Sequence, residues 1–264
     1  MAGKDRKKQL ARQRYERQQQ RRAQQAAKAR RLKIMGSAGA VAAIVVAGAA
    51  VVAFTGGDEE SEAAANASAS PAASPAAKPG ECAYKEAEVP GAPEDLGTPP
   101  VKPAHKGAVK ATVKTNHGDV VMELDGKNAP CTVNSFVFLA KKNFYDKTDC
   151  HRLTSGTLNV LQCGDPTGEG AGGPGYQFAN ENTEGAEYTA GTLAMAHSSQ
   201  PDSNGSQFFI VYEDSTLQPD YTVFGKITKG LDVVKEIAEA GSEPADDGEP
   251  KKKVTIRDVS IAGK

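Results

Sequence analysis

The segment Ser203-Asn204-Gly205-Ser206-Gln207-Phe208-Phe209-Ile210-Val211-Tyr212 is the most informative part of the sequence. Upstream of it lie His151-Arg152-Leu153, then Gln162-Cys163-Gly164-Asp165-Pro166, and then a glycine-rich loop that ends with Gly172-Gly173-Pro174-Gly175-Tyr176. If the first segment is a strand, its adjacent residues Phe208 and Phe209 must point to opposite faces. We therefore expect one of the two rings to belong to the core and the other to a binding site.

Alternating apolar residues predict further short strands on both sides of this segment. The clearest pair is residues 110–116 and 120–124, joined by a turn at 116–119. The other strand-like runs are residues 150–154, 158–163, 192–196, 207–212, 221–227 and 254–261. Two helices are also predicted, one that begins at Pro130 and one over residues 231–238, each with an apolar face. The pattern predicts a mostly β domain with two helices.

The four quoted motifs, in this order and at this spacing, closely resemble the cyclophilin family of peptidyl-prolyl cis-trans isomerases, in particular bacterial, membrane-anchored, actinobacterial-like members. The resemblance extends over about residues 111–261. It implies a closed eight-stranded antiparallel barrel capped by two helices. It also implies an isomerase that acts on proline-containing polypeptides without a covalent intermediate, a metal or another cofactor.

The resemblance also implies a role for individual residues. Arg152 matches the catalytic arginine, whose permanently charged guanidinium contacts the prolyl carbonyl and the amide nitrogen of the substrate. Gln162 matches a glutamine that hydrogen-bonds this arginine and the substrate backbone, and Phe209 matches the floor of the proline pocket. The other substrate-binding positions implied by the resemblance are Ala196, His197, Gln207, Leu217, Tyr221, Val160 and Leu158.

Three features differ from the commonest family pattern. Two extra residues separate Arg152 from Gln162, so the pocket position before Gln162 is ambiguous among Leu158, Asn159 and Val160. Thr216 occupies the position of a tryptophan found in strong cyclosporin binders, and the chain has no Trp. Weak cyclosporin binding is therefore expected. Tyr221 stands where many members have His.

The charges of the chain are separated along its length. The first 33 residues contain thirteen Lys and Arg but only Asp5 and Glu16, whereas the part from Asp58 onward is strongly acidic. Between these two regions, residues 34–54 carry no charge. A basic run can indicate nucleic-acid binding. Its position beside an apolar segment favours membrane topology instead, and no nucleic-acid partner is expected.

The uncharged segment is long enough to cross a membrane as a helix. At 1.5 Å per residue, about 20 residues span a hydrocarbon layer of about 30 Å. Because the positive charges precede the segment, the positive-inside rule places the N-terminus in the cytoplasm and the rest outside. We therefore expect a single-pass cell-membrane protein with a transmembrane helix at residues 34–55 and an extracytoplasmic isomerase domain. A cleaved signal peptide is the alternative.

Residues 56–106 are rich in Ala, Pro, Ser and Glu and contain almost no large apolar residues. This composition cannot bury enough surface to offset the entropy lost on ordering, so a disordered, mostly extended linker is expected. The predicted organisation is thus a basic cytoplasmic tail (1–33), a transmembrane helix (34–55), this linker (56–106) and a cyclophilin-like isomerase domain (107–264).

The four cysteines, Cys82, Cys131, Cys150 and Cys163, all lie on the predicted outer side of the membrane. An even number of cysteines in an oxidising compartment favours two disulfides. Four cysteines allow three pairings, and the sequence does not choose among them. The alternatives are free thiols or a metal site that includes His151, although the chain has no Cys-x-x-Cys spacing.

The sequence also bears on three functions other than isomerisation. A non-catalytic proline-peptide binding module or chaperone could use the same groove, and the extra residues between Arg152 and Gln162 favour it. A hydrolase needs a nucleophile and a base, and His197 with the neighbouring serines forms no recognisable nucleophile motif. Phosphate binding is not favoured, because the glycine-rich loop lacks a Lys-Ser/Thr pair and is followed by no clear helix.

Overall fold

The computed structural model describes residues 78–262 of the chain. The predicted basic tail, the predicted transmembrane helix at 34–55 and the first part of the predicted linker lie outside these residues. Among residues 78–262, no helix is long and apolar enough to cross a membrane. The membrane-spanning helix predicted from the sequence is therefore not part of residues 78–262.

The described residues form two helices, α1 (Pro130–Lys141) and α2 (Leu231–Glu239). The strands are β1 (Lys85–Glu86), β2 (Ala108–Thr115), β3 (Asp119–Asp125), β4 (Arg152–Thr154), β5 (Val160–Cys163), β6 (Tyr176–Gln177), β7 (Thr192–Met195), β8 (Phe208–Val211), β9 (Val223–Lys229), β10 (Ser242–Glu243), β11 (Asp247–Pro250) and β12 (Ile256–Ile261). The prediction of a mostly β domain with two helices is confirmed.

Ten of the described strands form one sheet in the order β10-β11-β4-β5-β8-β7-β9-β3-β2-β12. This order has two ends, so the prediction of a closed eight-stranded barrel is wrong. Asp149, which precedes β4, and Thr255, which precedes β12, form one isolated antiparallel bridge in place of a strand ladder. The chain leaves the extended conformation just before it, since Lys147 has a φ of 63°, and β4 begins only at Arg152.

The two faces of the sheet carry two separate apolar clusters. Across four neighbouring strands, Leu153 pairs with Leu161, Leu161 with Ile210, and Ile210 with Leu193. Directly paired residues point to the same face, and all four belong to the larger cluster, here called the interior core. The smaller cluster, here called the outer cluster, contains the buried residues Val160, Tyr188, Ala194, Phe209 and Val211.

Both helices pack on the interior core through the apolar faces seen in the sequence. Helix α1 starts with Pro130 at its first turn and buries most of its length. Its N-terminus is capped from a distance, because the Glu181 carboxylate accepts hydrogen bonds from the backbone N–H groups of Cys131 (3.0 Å) and Thr132 (2.8 Å). Helix α2 buries Val234 and Ile237. Both helix predictions are confirmed.

Residues 78–106, here called the N-terminal strap, pack against the domain, and the prediction of a disordered linker is wrong for them. Strand β1 pairs with β6, Leu96 is buried in the interior core, and the Tyr84 hydroxyl donates to the carbonyl oxygen of Cys131 at 2.8 Å. The strap also supports the glycine-rich loop, because the Gly173 N–H donates to the Pro90 carbonyl at 3.1 Å. The Cys82–Cys131 disulfide, the buried Leu96 and the contacts of the Tyr84 ring with Tyr176 and Phe178 order a segment whose average composition is that of a linker.

All four cysteines are paired, which confirms the prediction of two disulfides. Cys82 is joined to Cys131 and Cys150 to Cys163. The first bond ties the strap to α1, and the second joins the start of the β4 segment to the end of β5. Because each sulfur is in a disulfide, none of the four residues can act as a thiolate metal ligand.

Candidate active site

The candidate site is built on one row of paired residues across the sheet. Arg152 of β4 pairs with Gln162 of β5, Gln162 with Phe209 of β8, and Phe209 with Ala194 of β7. Directly paired residues share a face, and Phe209 and Ala194 belong to the outer cluster. The row therefore places a guanidinium, an amide and an aromatic ring side by side on the outer face of the sheet.

The guanidinium of Arg152 is held on two sides. Its Nε and Nη2 atoms donate to the two carboxylate oxygens of Asp247 at 2.7 and 3.0 Å. Its Nη1 atom donates to Oε1 of Gln162 at 3.2 Å. The hydrogen bond with Asp247, followed by a smaller opposing effect of burial, raises the pKa of Arg152 above its ordinary value. The side chain is thus a fixed cation that stays 38% exposed to solvent.

A chain of amides continues from this cation. Nε2 of Gln162 donates to Oε1 of Gln207 at 2.8 Å. Nε2 of Gln207 in turn donates to the carbonyl oxygen of Gly172 at 2.9 Å. The orientation of both glutamines is therefore fixed by the glycine-rich loop at one end and by Arg152 at the other.

Beside these polar groups, the outer cluster forms an apolar surface. Phe209 is 5% exposed, and its ring centroid lies 5.7 Å from that of Tyr221 and 6.4 Å from that of Tyr188. The predicted site residues Leu158, Ala196, Leu217 and Tyr221 are partly buried against this cluster, and Val160 lies within it. The structure therefore brings together the apolar side chains that the resemblance assigned to the proline pocket.

His197 lies at the edge of the same surface. Its ring stacks on Tyr221 with a centroid distance of 4.6 Å. Its Nδ1 and Nε2 atoms lie 2.7 Å from the Ser198 carbonyl and 3.0 Å from the Asp220 carbonyl, so the ring orientation is fixed by the backbone. Tyr221, which replaces the commoner His, is itself held in place because its N–H donates to the Tyr188 hydroxyl at 3.0 Å.

The register of β5 resolves the ambiguity created by the two extra residues. Val160 belongs to the outer cluster and Leu158 packs against it, whereas Leu161 belongs to the interior core. The Asn159 side chain instead closes a local turn, with Oδ1 accepting from the Gly156 N–H at 2.9 Å. The additional length is thus taken up in a turn, and Leu158 and Val160 are the pocket-facing residues.

Thr216 is exposed, and its backbone N–H donates to the Thr157 carbonyl at 2.9 Å. The threonine offers no indole ring to extend the outer cluster. Weak cyclosporin binding stays a prediction.

The glycine-rich loop is organised by a buried carboxylate. Asp165 Oδ1 accepts from the Thr167 N–H at 2.7 Å, and Oδ2 accepts from the N–H of Gly172 at 3.1 Å. Burial alone would raise the pKa of Asp165, but these hydrogen bonds outweigh it and lower the pKa. The N–H groups of Thr167 and Gly172 are therefore used within the loop. Nearby, both ring nitrogens of His151 are buried and without a hydrogen-bond partner within residues 78–262.

Two residues of the site were missed from the sequence. Asp247 lies in a hairpin with too few apolar residues to predict strands, and its contact with Arg152 spans 95 positions along the chain. Tyr188 lies in a stretch without periodicity, although it belongs to the outer cluster. The dipeptide Asp247-Gly248 is a common turn signal, but nothing in the sequence directs Asp247 toward Arg152.

Comparison with protein families gives one extended match. Residues 110–261 match the model of the cyclophilin-type peptidyl-prolyl cis-trans isomerase family. Among individual proteins, the chain is 44% identical over 206 residues to the probable peptidyl-prolyl cis-trans isomerase B of Mycobacterium tuberculosis. That alignment covers 70% of this chain and 66% of the relative, so the chain spans just under two thirds of the relative's length. A peptidyl-prolyl cis-trans isomerase of Helicobacter pylori is 43% identical over 131 residues, covering 48% of this chain and 78% of that protein.

Solved structures give the same result. The crystal structure of a cyclophilin-type peptidyl-prolyl cis-trans isomerase of Cryptosporidium parvum has a TM-score of 0.53 and 30% identity, and covers 60% of this chain and 99% of that one. A second crystal structure of that protein, in the presence of the dipeptide Ala-Pro, has a TM-score of 0.52. Together with the family match over more than half of the sequence, these similarities establish that the chain belongs to the cyclophilin-type peptidyl-prolyl cis-trans isomerase family.

Proposed function

We propose that the protein is a peptidyl-prolyl cis-trans isomerase that accelerates rotation about X-Pro bonds in unfolded or secreted proteins outside the cytoplasm. The observation that carries the proposal is the row Arg152-Gln162-Phe209, which places a fixed cation beside an apolar cluster of aromatic and aliphatic side chains. Family membership and the named isomerases among the relatives support the same reaction.

The chemistry of the reaction fits these groups. Rotation about the amide destroys its resonance, with a barrier of about 18–20 kcal/mol. A catalyst can lower that barrier by gripping the ring and stabilising a nitrogen whose lone pair has been freed. A preorganised donor acts most strongly where the substrate excludes water. In the proposed arrangement, Phe209 and its neighbours hold the proline ring, Arg152 donates to the prolyl amide, and Gln162 orients the guanidinium.

The proposed location rests on the disulfides. All four cysteines are paired, in Cys82–Cys131 and Cys150–Cys163. Structural disulfides form and persist in oxidising compartments such as the extracellular space or the bacterial periplasm, and are rare in the cytosol. Thiol counting on denatured, unreduced protein isolated from cells tests this part, and the appearance of four free thiols would contradict it.

The reaction is tested by measuring cis-trans exchange of a proline peptide by NMR with the full chain and with Arg152→Ala. The cation acts in the transition state more than in the bound ground state. We therefore expect the variant to lower the exchange rate by about 100- to 1000-fold, the scale for losing one preorganised donor, with a much smaller loss of peptide affinity.

Arg257→Ala is the matched control, since within residues 78–262 it removes the other arginine, which is exposed and does not belong to the row of Arg152, Gln162 and Phe209. It should leave the exchange rate unchanged. If the wild-type protein binds proline peptides but does not accelerate their exchange, the isomerase proposal is wrong and the protein is a proline-peptide binding module. Equal losses in Arg152→Ala and Arg257→Ala would remove the assigned role of Arg152.

A further inference from the structure

Asp247 engages Arg152 in a bidentate ion pair. Its two carboxylate oxygens accept from Nε and Nη2 at 2.7 and 3.0 Å. Exposed ion pairs usually contribute little to stability, but bidentate Arg–carboxylate pairs are the exception, because two parallel hydrogen bonds fix the guanidinium plane. Asp247 is 59% exposed, so any effect of this pair on orientation is more important than its effect on stability.

The pair determines which N–H groups of the guanidinium remain for a substrate. Arg has five N–H donors. Within residues 78–262, Asp247 takes one on Nε and one on Nη2, and Gln162 takes one on Nη1 at 3.2 Å. One donor on each terminal nitrogen is left. The two partners therefore fix the guanidinium plane and leave these two donors for a substrate.

Asp247 owes its position to the β10–β11 hairpin. Strand β11 pairs with β4 through Asp247–Thr154 and Gly248–Leu153. Gly248 lets β11 lie close to the end of β10, because a Cβ atom at this position would collide with the backbone of Glu243 and Pro244. The preceding Asp246 is held separately, with its Oδ1 accepting from the Ser155 hydroxyl at 2.9 Å. Two adjacent carboxylates of one hairpin thus serve two different partners.

We propose that Asp247 is a positioning residue for the isomerase reaction, which sets the guanidinium plane of Arg152 so that its free donors face the outer cluster. This inference rests on the proposed function, in which Arg152 donates to the prolyl amide. Without Asp247, the guanidinium would keep one anchor at Gln162 and could rotate about its last torsions. Misplacement of a catalytic group by about 1 Å can cost about 100-fold in rate.

The test compares Asp247→Ala, Asp247→Asn and Asp247→Glu in the full chain, with Asp246→Asn as the matched control for charge on the same hairpin. We expect Asp247→Ala to lower kcat by about 10- to 100-fold with KM changed by less than about twofold. Asp247→Asn keeps one acceptor oxygen and should lose less, and Asp247→Glu should recover part of the rate. Asp246→Asn should match the wild type.

A readout that does not depend on activity is the NMR resonance of the Arg152 Nε–H group, assigned by its loss in Arg152→Lys. The ion pair slows its exchange with water, so the resonance should be seen in the wild type and in Asp246→Asn, and should broaden in Asp247→Ala. Melting curves establish that each variant is folded.

The possible failures are distinguishable. A folded Asp247→Ala variant with the wild-type kcat, beside an active wild-type enzyme, would overturn the role of Asp247 and leave the proposed function intact. An equal loss of kcat in Asp246→Asn would also overturn the role of Asp247, because the total charge of the β10–β11 hairpin would then explain the loss. If the wild type does not accelerate exchange at all, the proposed function and this inference both fail.

Discussion

Phe208 and Phe209 are neighbours on one strand, yet Phe208 belongs to the interior core and Phe209 to the outer cluster. Phe208 lies in the interior core, with its ring 5.6 Å from Phe136 and 5.8 Å from Tyr145. Phe209 lies in the outer cluster, close to rings of Tyr188 and Tyr221. The interior core is enclosed by helices and sheet, whereas the outer cluster borders Arg152 and Gln162. The comparison indicates that the strand alternates between residues that hold the fold and residues that form the site.

The largest effect, on the free energy of unfolding, should come from Phe208→Ala, which removes a ring from the interior core. Removing a fully packed aromatic ring leaves a cavity, and such changes cost about 3–5 kcal/mol of the free energy of unfolding. Urea unfolding of the variant measures this loss. If Phe208→Ala lost less free energy of unfolding than Phe209→Ala, the assignment of Phe208 to the interior core would be contradicted.

Phe209→Ala removes a ring from the outer cluster. The variant should bind a proline peptide about 10- to 100-fold more weakly, since removing an aromatic side chain on which a ligand packs typically costs about 2 kcal/mol or more of binding free energy. Its free energy of unfolding should fall less than in Phe208→Ala, because the outer cluster contains far fewer buried residues than the interior core. Peptide titration by calorimetry measures the affinity. Phe208→Leu is the control, and an equal loss of affinity in that variant would show that the two clusters are not separate.

A smaller effect, on the pH dependence of stability, is expected at His151. His151 directly precedes β4, its ring lies near Gly170 of the glycine-rich loop, and both of its ring nitrogens are buried. Burial lowers the pKa of His151 below 6.5, with an opposing effect of Asp165 and a further lowering by Arg152. The unfolded chain then binds more protons than the folded one between the lowered pKa and about 6.5. Stability should therefore rise with pH across this window and level off above it.

The measurement is the free energy of unfolding between pH 4.5 and 7.5 for wild type and for His151→Gln. Each unit by which the pKa is lowered corresponds to about 1.4 kcal/mol, so the wild-type slope should exceed that of the variant in this window. Identical slopes would mean that His151 is protonated equally in both states, contrary to its buried position.

The sequence was sufficient for the parts of the fold governed by local pattern. The periodicity of residues 110–124 and the apolar faces after Pro130 and in 231–238 correctly predicted β2, β3, α1 and α2. Periodicity could not reveal whether the sheet closes, because closure depends on how residues far apart in the chain meet. It also could not reveal the strap, since the order in residues 78–106 comes from a disulfide and from contacts with α1 and β6.

The candidate site was likewise predicted only in part from the sequence. The resemblance named Arg152, Gln162 and Phe209, and the sheet places them in one row. It left the position before Gln162 open because the two extra residues upset the count, and only the register of β5 assigns Leu158 and Val160 to the outer face. Asp247 was missed for a related reason, because an ion pair across 95 residues leaves no trace in local spacing.

The Cys82–Cys131 bond has a practical consequence for where this polypeptide can be cut. A chain begun at residue 107, the boundary suggested by composition, would keep Cys131, Cys150 and Cys163 but lose Cys82. A leftover cysteine in an oxidising environment tends to pair between molecules. Such a truncated product would therefore accumulate as covalent dimers, whereas one that begins at residue 78 would keep every thiol matched within a single molecule.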